Sequence, residues 1–159
     1  MPQNTPKIFL DTSVVISALF SSTGGARELF RFGELGKTIL YIGKFVLEEA
    51  DDVLLRKDPE SRAILVSFLD SANVKIVDTP SIEAQNTANR LMAYAPDARV
   101  LAEVIQAEPD FFASHDREHF LNNLNLSALS FQIGSPGDAL AWIRKGYQFP
   151  DSSSFYKMN

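Results

Sequence analysis

Apolar residues come in short runs that alternate with longer stretches of helical periodicity. The runs at 8–10, 38–42, 74–77, 111–114 and 128–133 predict five strands. Between them, apolar positions three and four apart predict helices over 14–20, 26–34, 44–56, 59–71, 81–94, 97–107 and 136–145. Strands that alternate with helices form a parallel sheet covered by helices on both faces. Ligands of such sheets bind beyond the carboxyl ends of the strands. Gly24 and Gly25 break the first helical region in two. The turn Gly134, Ser135, Pro136, Gly137 leads into the last helix, with Pro136 suited to its first turn. There is no internal repeat and no low-complexity block.

Against this pattern four carboxylates stand out. In "KIFLDTSVVISALF" Asp11 sits where a buried strand meets the apolar face of a helix, followed by the hydroxyls of Thr12 and Ser13. As an N-cap it would accept a backbone N–H from that helix. On the helix over 44–56, Val46, Ala50, Val53 and Leu54 form one apolar stripe. Glu49 falls on its edge, three residues after Val46 and four before Val53, whereas Glu48 projects to nearly the opposite side. A carboxylate turned to the core needs a partner, either a basic side chain or a metal ion. Asp97 follows Pro96 and starts a helix whose buried stripe is Leu101, Val104 and Ile105. Asp116 stands just after the strand "DFFAS" and before a short helix around 118–121. Taken singly, Asp97 and Asp116 also read as caps.

Their coincidence points further. Asp11 and Asp116 both follow buried parallel strands at the ligand-binding end, and Glu49 and Asp97 lie on core-facing stripes. Four carboxylates in one pocket repel one another unless cations neutralise them. Hard oxygen donors select Mg²⁺ or Mn²⁺ over zinc. Such a pocket suits hydrolysis of a phosphodiester.

Composition narrows the setting. The chain has 159 residues, enough for one domain with a real core, and 45% of them are apolar. A single domain over 1–149 and a polar tail over 150–159 are expected. With no cysteine there is no disulfide framework and no thiolate metal site, which suits a cytoplasmic location. No secretory h-region follows Met1, and the apolar runs are too short to span a bilayer. The formal net charge of −5 argues against broad phosphate binding by lysine and arginine. Nucleic acid stays within reach if cations bridge the carboxylates to its phosphates.

The stretches "IFLDTSVVISALFSSTGGARELF", "VLEEADDVLLR", "DARVLAEVIQAEPDFFASHDREHF" and "IGSPGDAL", in this order, resemble the PIN-domain ribonucleases, especially the bacterial toxin components of VapC-type toxin–antitoxin pairs. The resemblance covers residues 7–140. It puts the family's four acids on Asp11, Glu49, Asp97 and Asp116, its following polar residues on Thr12 and Ser13, and its Ser or Thr two before the fourth acid on Ser114. It implies a PIN-like α/β/α fold with a parallel sheet of about five strands and dependence on Mg²⁺ or Mn²⁺. It also implies endonucleolytic cleavage of RNA to leave a 5′-phosphate and a 3′-hydroxyl, an antitoxin partner and a homodimer. The chain departs from the family pattern at His115, where a Gly is frequent, and at Glu103, where an alanine is.

Other residues have simpler readings. His115 and His119, four apart, could hold a metal on a helix, but solvated or capping roles are the default. Ser13 and Ser114 can orient carboxylates by hydrogen bonds, or make ordinary bonds to the backbone. Arg27, Lys44 and Arg99 read as surface charge within reach of phosphates, and Trp142 and Phe149 as packing residues. Two other functions compete with the nuclease. An Asp-nucleophile phosphohydrolase of the haloacid dehalogenase type wants a second acid where Ser13 stands. A non-catalytic PIN-like interaction module has no need of all four acids.

Overall fold

The computed structural model describes residues 4–146. Phe149 and the tail over 150–159 lie outside the described residues. Five strands, β1 (Lys7–Leu10), β2 (Ile39–Ile42), β3 (Lys75–Ile76), β4 (Phe111–Ala113) and β5 (Gln132–Gly134), form one sheet in the order β3-β2-β1-β4-β5. Every pairing is parallel. Around the sheet lie α1 (Thr12–Phe20), α2 (Gly25–Glu34), α3 (Lys44–Lys57), α4 (Ser61–Ser71), α5 (Ile82–Leu91), α6 (Ala95–Ala107) and α7 (Pro136–Arg144). This is the three-layer α/β/α architecture expected from the alternating pattern.

The central strands are buried on both faces, and their sequences say why. Ile8, Phe9 and Leu10 of β1 and Phe111, Phe112 and Ala113 of β4 are unbroken apolar runs, as a sheet covered on both sides demands. Phe9 meets Phe112 edge to face at 5.8 Å. β3, at one edge, is two exposed residues long. The order places β1 beside β4, where the direction of strand addition reverses. That reversal opens the crevice in which doubly wound sheets bind ligands. Asp11 leaves β1 at this point, its N–H donating to the Ala113 carbonyl at 3.0 Å.

Two boundaries correct the sequence reading. The helix expected from 97 starts at Ala95, with Tyr94 as N-cap and Pro96 inside the first turn. Asp97 is therefore the third helical residue and not a cap. The strand expected over 128–133 shrinks to Gln132–Gly134. Its apolar lead-in belongs to a 3₁₀ turn (Leu124–Leu126) and the loop after it, where Leu126 and Phe131 are buried. The short helix expected around 118–121 is a π-helical turn, Arg117–Leu121. Phe120 anchors that turn, packing edge to face on Phe112 at 5.0 Å.

Candidate metal centre

The four acids come from separate parts of the chain and lie near enough to feel one another's charge, but among the described residues only Asp97 and Asp116, with His119, bring ligand atoms together as a group, and Asp11 and Glu49 stand outside it. Asp11 caps α1, accepting the Thr12 N–H at 2.9 Å. Its other oxygen, Oδ2, accepts the Ser114 hydroxyl at 2.7 Å and the Ser13 hydroxyl at 3.3 Å. Each hydroxyl in turn accepts a backbone N–H from the segment after β4: Ser114 from Asp116 at 3.0 Å, Ser13 from His115 at 3.3 Å. Two serines thus tie the ends of β1 and β4 through one carboxylate.

Glu49 is half-buried on α3, and its Oε1 accepts the Thr12 hydroxyl at 2.9 Å. Glu48 is exposed, as the helical stripe predicts. Asp97 enters from the first turn of α6. Its Oδ2 is buried and accepts no hydrogen bond, and His119 Nδ1 lies 3.5 Å away. Asp116 caps the π-helical turn through the His119 N–H at 3.0 Å, and its Oδ2 meets His119 Nδ1 at 2.9 Å. Ligand atoms of Asp97, Asp116 and His119 all fall within 4.8 Å of one another.

Burial raises the pKa of Asp11, Glu49 and Asp97, and their mutual repulsion adds to it. Asp11 feels Asp116; Glu49 feels Asp11 and Asp97; Asp97 feels Asp116 and Asp11. One set of charges therefore links all four positions. Among the described residues, no lysine or arginine forms an ion pair with any of them. This disposes of the basic partner that Glu49 could have had. Of the basic residues considered beforehand, Arg27 lies over the Phe68 ring at 4.7 Å and Arg99 over the Phe45 ring at 4.0 Å, while Lys44 is exposed. Trp142 packs against Phe111 at 5.3 Å.

Two residues acquire roles that periodicity did not suggest. His119, still partly exposed to solvent, hydrogen-bonds Asp116 and stands 3.5 Å from Asp97, and the Asp116 hydrogen bond raises its pKa. His115 stays exposed. Glu103, only 4% exposed on α6, accepts the N–H groups of Phe45 at 2.9 Å and Val46 at 3.3 Å. It caps α3 from another helix, and a Cβ on Gly43 would collide with its carboxylate. The helix that carries Glu49 is thereby fixed at its start by Glu103.

A cation fits this arrangement. The buried Asp97 Oδ2, which accepts no hydrogen bond, and the neighbouring Asp116 carboxylate could hold a divalent ion, with His119 able to add a nitrogen ligand.

No protein-family model matches the chain, and no curated protein matches it by sequence. Solved structures do. The chain is similar to VapC20 of Mycobacterium tuberculosis, a sarcin-ricin loop cleaving toxin, with a TM-score of 0.54 and 17% identity over 70% of this chain and 91% of that one. It is similar to VapBC2 from Rickettsia felis, solved bound to a DNA fragment from their promoter, with a TM-score of 0.60 and 12% identity over 81% and 98%. FitAcB from Neisseria gonorrhoeae gives a TM-score of 0.52 and 17% identity over 82% and 98%. At such identities a likeness carries the fold alone, and this chain has the PIN-like α/β/α fold of these neighbours.

Proposed function

We propose that this chain is a metal-dependent endoribonuclease, the toxin component of a toxin–antitoxin pair. The observation that carries the reading is the set of Asp11, Glu49, Asp97 and Asp116, coupled by charge, with no lysine or arginine ion-paired to any of them among the described residues and His119 beside two of them. Similarity to a toxin that cleaves the sarcin-ricin loop supports the nuclease, and similarity to VapBC2 and FitAcB supports an antitoxin partner.

In this reading the four acids hold Mg²⁺ or Mn²⁺, which when bound supplies Lewis-acid polarisation of the phosphodiester and activates water. The chain's own residues do the rest. Ser114, Ser13 and the Thr12 N–H orient Asp11, and the Thr12 hydroxyl orients Glu49. Oriented carboxylates present their remaining lone pairs at one point and spend little entropy on doing so. His119 lends partial positive charge to Asp97 and Asp116. Phe120, buried against Phe112, keeps the turn that carries Asp116 and His119 in place.

Exposed Phe20, Ile64 and Val66 supply apolar surface for a homodimer or an antitoxin. Among the described residues no helix is long and apolar enough to cross a membrane.

The test is cleavage of a panel of RNAs in Mn²⁺, comparing wild type with Asp11→Asn. Cuts made by wild type alone, abolished by EDTA and leaving 5′-phosphate ends, are expected. Equal activity in the two proteins, or activity indifferent to EDTA, overturns the reading. Metal binding without cleavage of any RNA would leave the non-catalytic interaction module in its place.

A further inference from the structure

Beside the acidic centre lies an open depression of about 550 Å³ that the nuclease reading leaves without a role. His119 stands on the boundary between the two. Its Nδ1 meets Asp116, and its ring faces that of Tyr94, centroids 6.0 Å apart and planes 23° from parallel. Tyr94 is 58% exposed. It is the N-cap of α6, three residues before Asp97, so the backbone ties ring and carboxylate to one helix start. Asn89 and Asn125 also line the depression, and among the described residues neither side-chain amide makes a hydrogen bond. Arg90 brings a cation to the same wall.

An exposed aromatic ring, amides that can both donate and accept, and one cation are the chemistry that recognises an unpaired nucleobase and its phosphate. Leu91, Met92 and Ala93 add apolar wall on which the edge of a base can rest, Glu118 sets a carboxylate opposite Arg90, and a bare phosphate has no use for the ring. The charge balance points the same way. A net charge of −5 disfavours grip on a strand through overall charge, which leaves more of it to the metal site and the bases. Unpaired bases offer their faces to Tyr94; paired ones are already stacked.

We propose that this depression is a base subsite: it takes one unpaired nucleobase of the bound RNA against Tyr94, within reach of the Asn89 and Asn125 amides, and so sets which phosphate lies over the carboxylates. The proposal rests on the nuclease reading for the identity of the strand.

The experiment uses an unstructured, fluorescein-labelled RNA of mixed sequence and a series in which one base at a time is replaced by an abasic site. The proteins are wild type, Tyr94→Ala and Tyr94→Trp. Tyr94 caps α6 through its backbone and not its side chain, so the substitutions leave that cap in place. For wild type in Mn²⁺, one abasic position near the cut should lower the cleavage rate by about tenfold or more. Tyr94→Ala should cut the intact RNA slower by a similar factor and be insensitive to that abasic position. Tyr94→Trp should recover both the rate and the sensitivity. Identical abasic profiles for wild type and Tyr94→Ala overturn the subsite while leaving the nuclease intact. If no RNA is cut at all, the nuclease reading fails separately, and anisotropy of the intact labelled RNA decides the subsite. Weaker binding by Tyr94→Ala than by wild type upholds it; equal binding, or none by wild type, overturns it.

Discussion

Thr12 donates its hydroxyl to Glu49 Oε1 across 2.9 Å, joining the first residue of α1 to a carboxylate on α3. Among the described residues this is the hydrogen bond that steadies Glu49, and it lowers a pKa that burial raises. Thr12→Val keeps the shape and removes the donor. Cleavage should fall about fivefold, in line with about 1 kcal/mol for one such bond, with little change in melting temperature. Thr12→Ser should restore it. Full activity of Thr12→Val would show that Glu49 needs no such support.

Glu48 and Glu49 are chemically alike neighbours with opposite surroundings, one exposed and one half-buried beside Asp11 and Asp97. Glu49→Gln should abolish cleavage and weaken Mn²⁺ binding measured by calorimetry. Glu48→Gln should leave both nearly unchanged. Equal losses in the two variants would sink the assignment.

Asp11 is 7% exposed, and its charge is a burden on the metal-free fold. Asn remains a competent cap and removes one of four repelling charges. Asp11→Asn should therefore melt at or above wild type in EDTA, be inactive, and gain much less melting temperature from Mn²⁺. A clearly lower melting point in EDTA, with a wild-type response to Mn²⁺, would mark Asp11 as structural only.

The pKa directions give the pH dependence its sign. Asp11, Glu49 and Asp97 have raised values in the fold, so above about pH 4 the unfolded chain sheds protons that the folded one keeps. Their stabilising contribution is full below the unfolded pKa and is lost as pH rises through the folded one. His119, also raised, acts in the same sense at higher pH. In EDTA the melting temperature should fall from about pH 4 through neutrality. In Mn²⁺, which binds the ionised forms, the protection should grow with pH. Parallel curves in EDTA and Mn²⁺ would contradict a metal site built from these acids.

Glu103 and Gly43 form a tight pair at the start of α3. Glu103→Ala strands the N–H groups of Phe45 and Val46 and should cost about 1–3 kcal/mol. Gly43→Ala should cost a similar amount by collision. In the double variant the collision is gone, so the two losses should add to clearly less than their sum. Denaturant titration of the four proteins measures the shortfall; strict additivity would mean that the two positions do not press on each other.

How far the sequence carried depended on whether the relevant contact was local. Unbroken apolar runs around Phe9 and Phe112 announced central parallel strands, and a 3.6-residue stripe turned Glu49 inward and Glu48 outward. Asp97 was misread as a helix start because Pro96 looked like a boundary, although proline is tolerated in a first turn. The run through Leu129 and Phe131 mimicked a strand because burial in an irregular loop leaves the same apolar trace as burial in a sheet. His119 was paired with the wrong partner, His115 four residues away, because helical spacing does not describe the π-helical turn that sets it beside Asp116. Glu103 was legible as a departure, a carboxylate among Leu101, Ala102 and Val104, but its partners lie 57 and 58 residues away. Pattern along the chain cannot name such partners.

The Ser114 hydrogen bond to Asp11 spans 103 residues of sequence. A ribosome releases Asp11 and Glu49 long before β4, and without β4 the chain lacks Ser114, Asp116 and His119 together. A chain that stops just before β4 therefore carries three of the four acids and lacks the last one with its hydroxyl and imidazole neighbours. The most distant strand pairing is also the kind that forms late in folding. If the centre cuts RNA, no nascent fragment ending before residue 114 holds all of its groups, so activity has to wait for the second half of the chain.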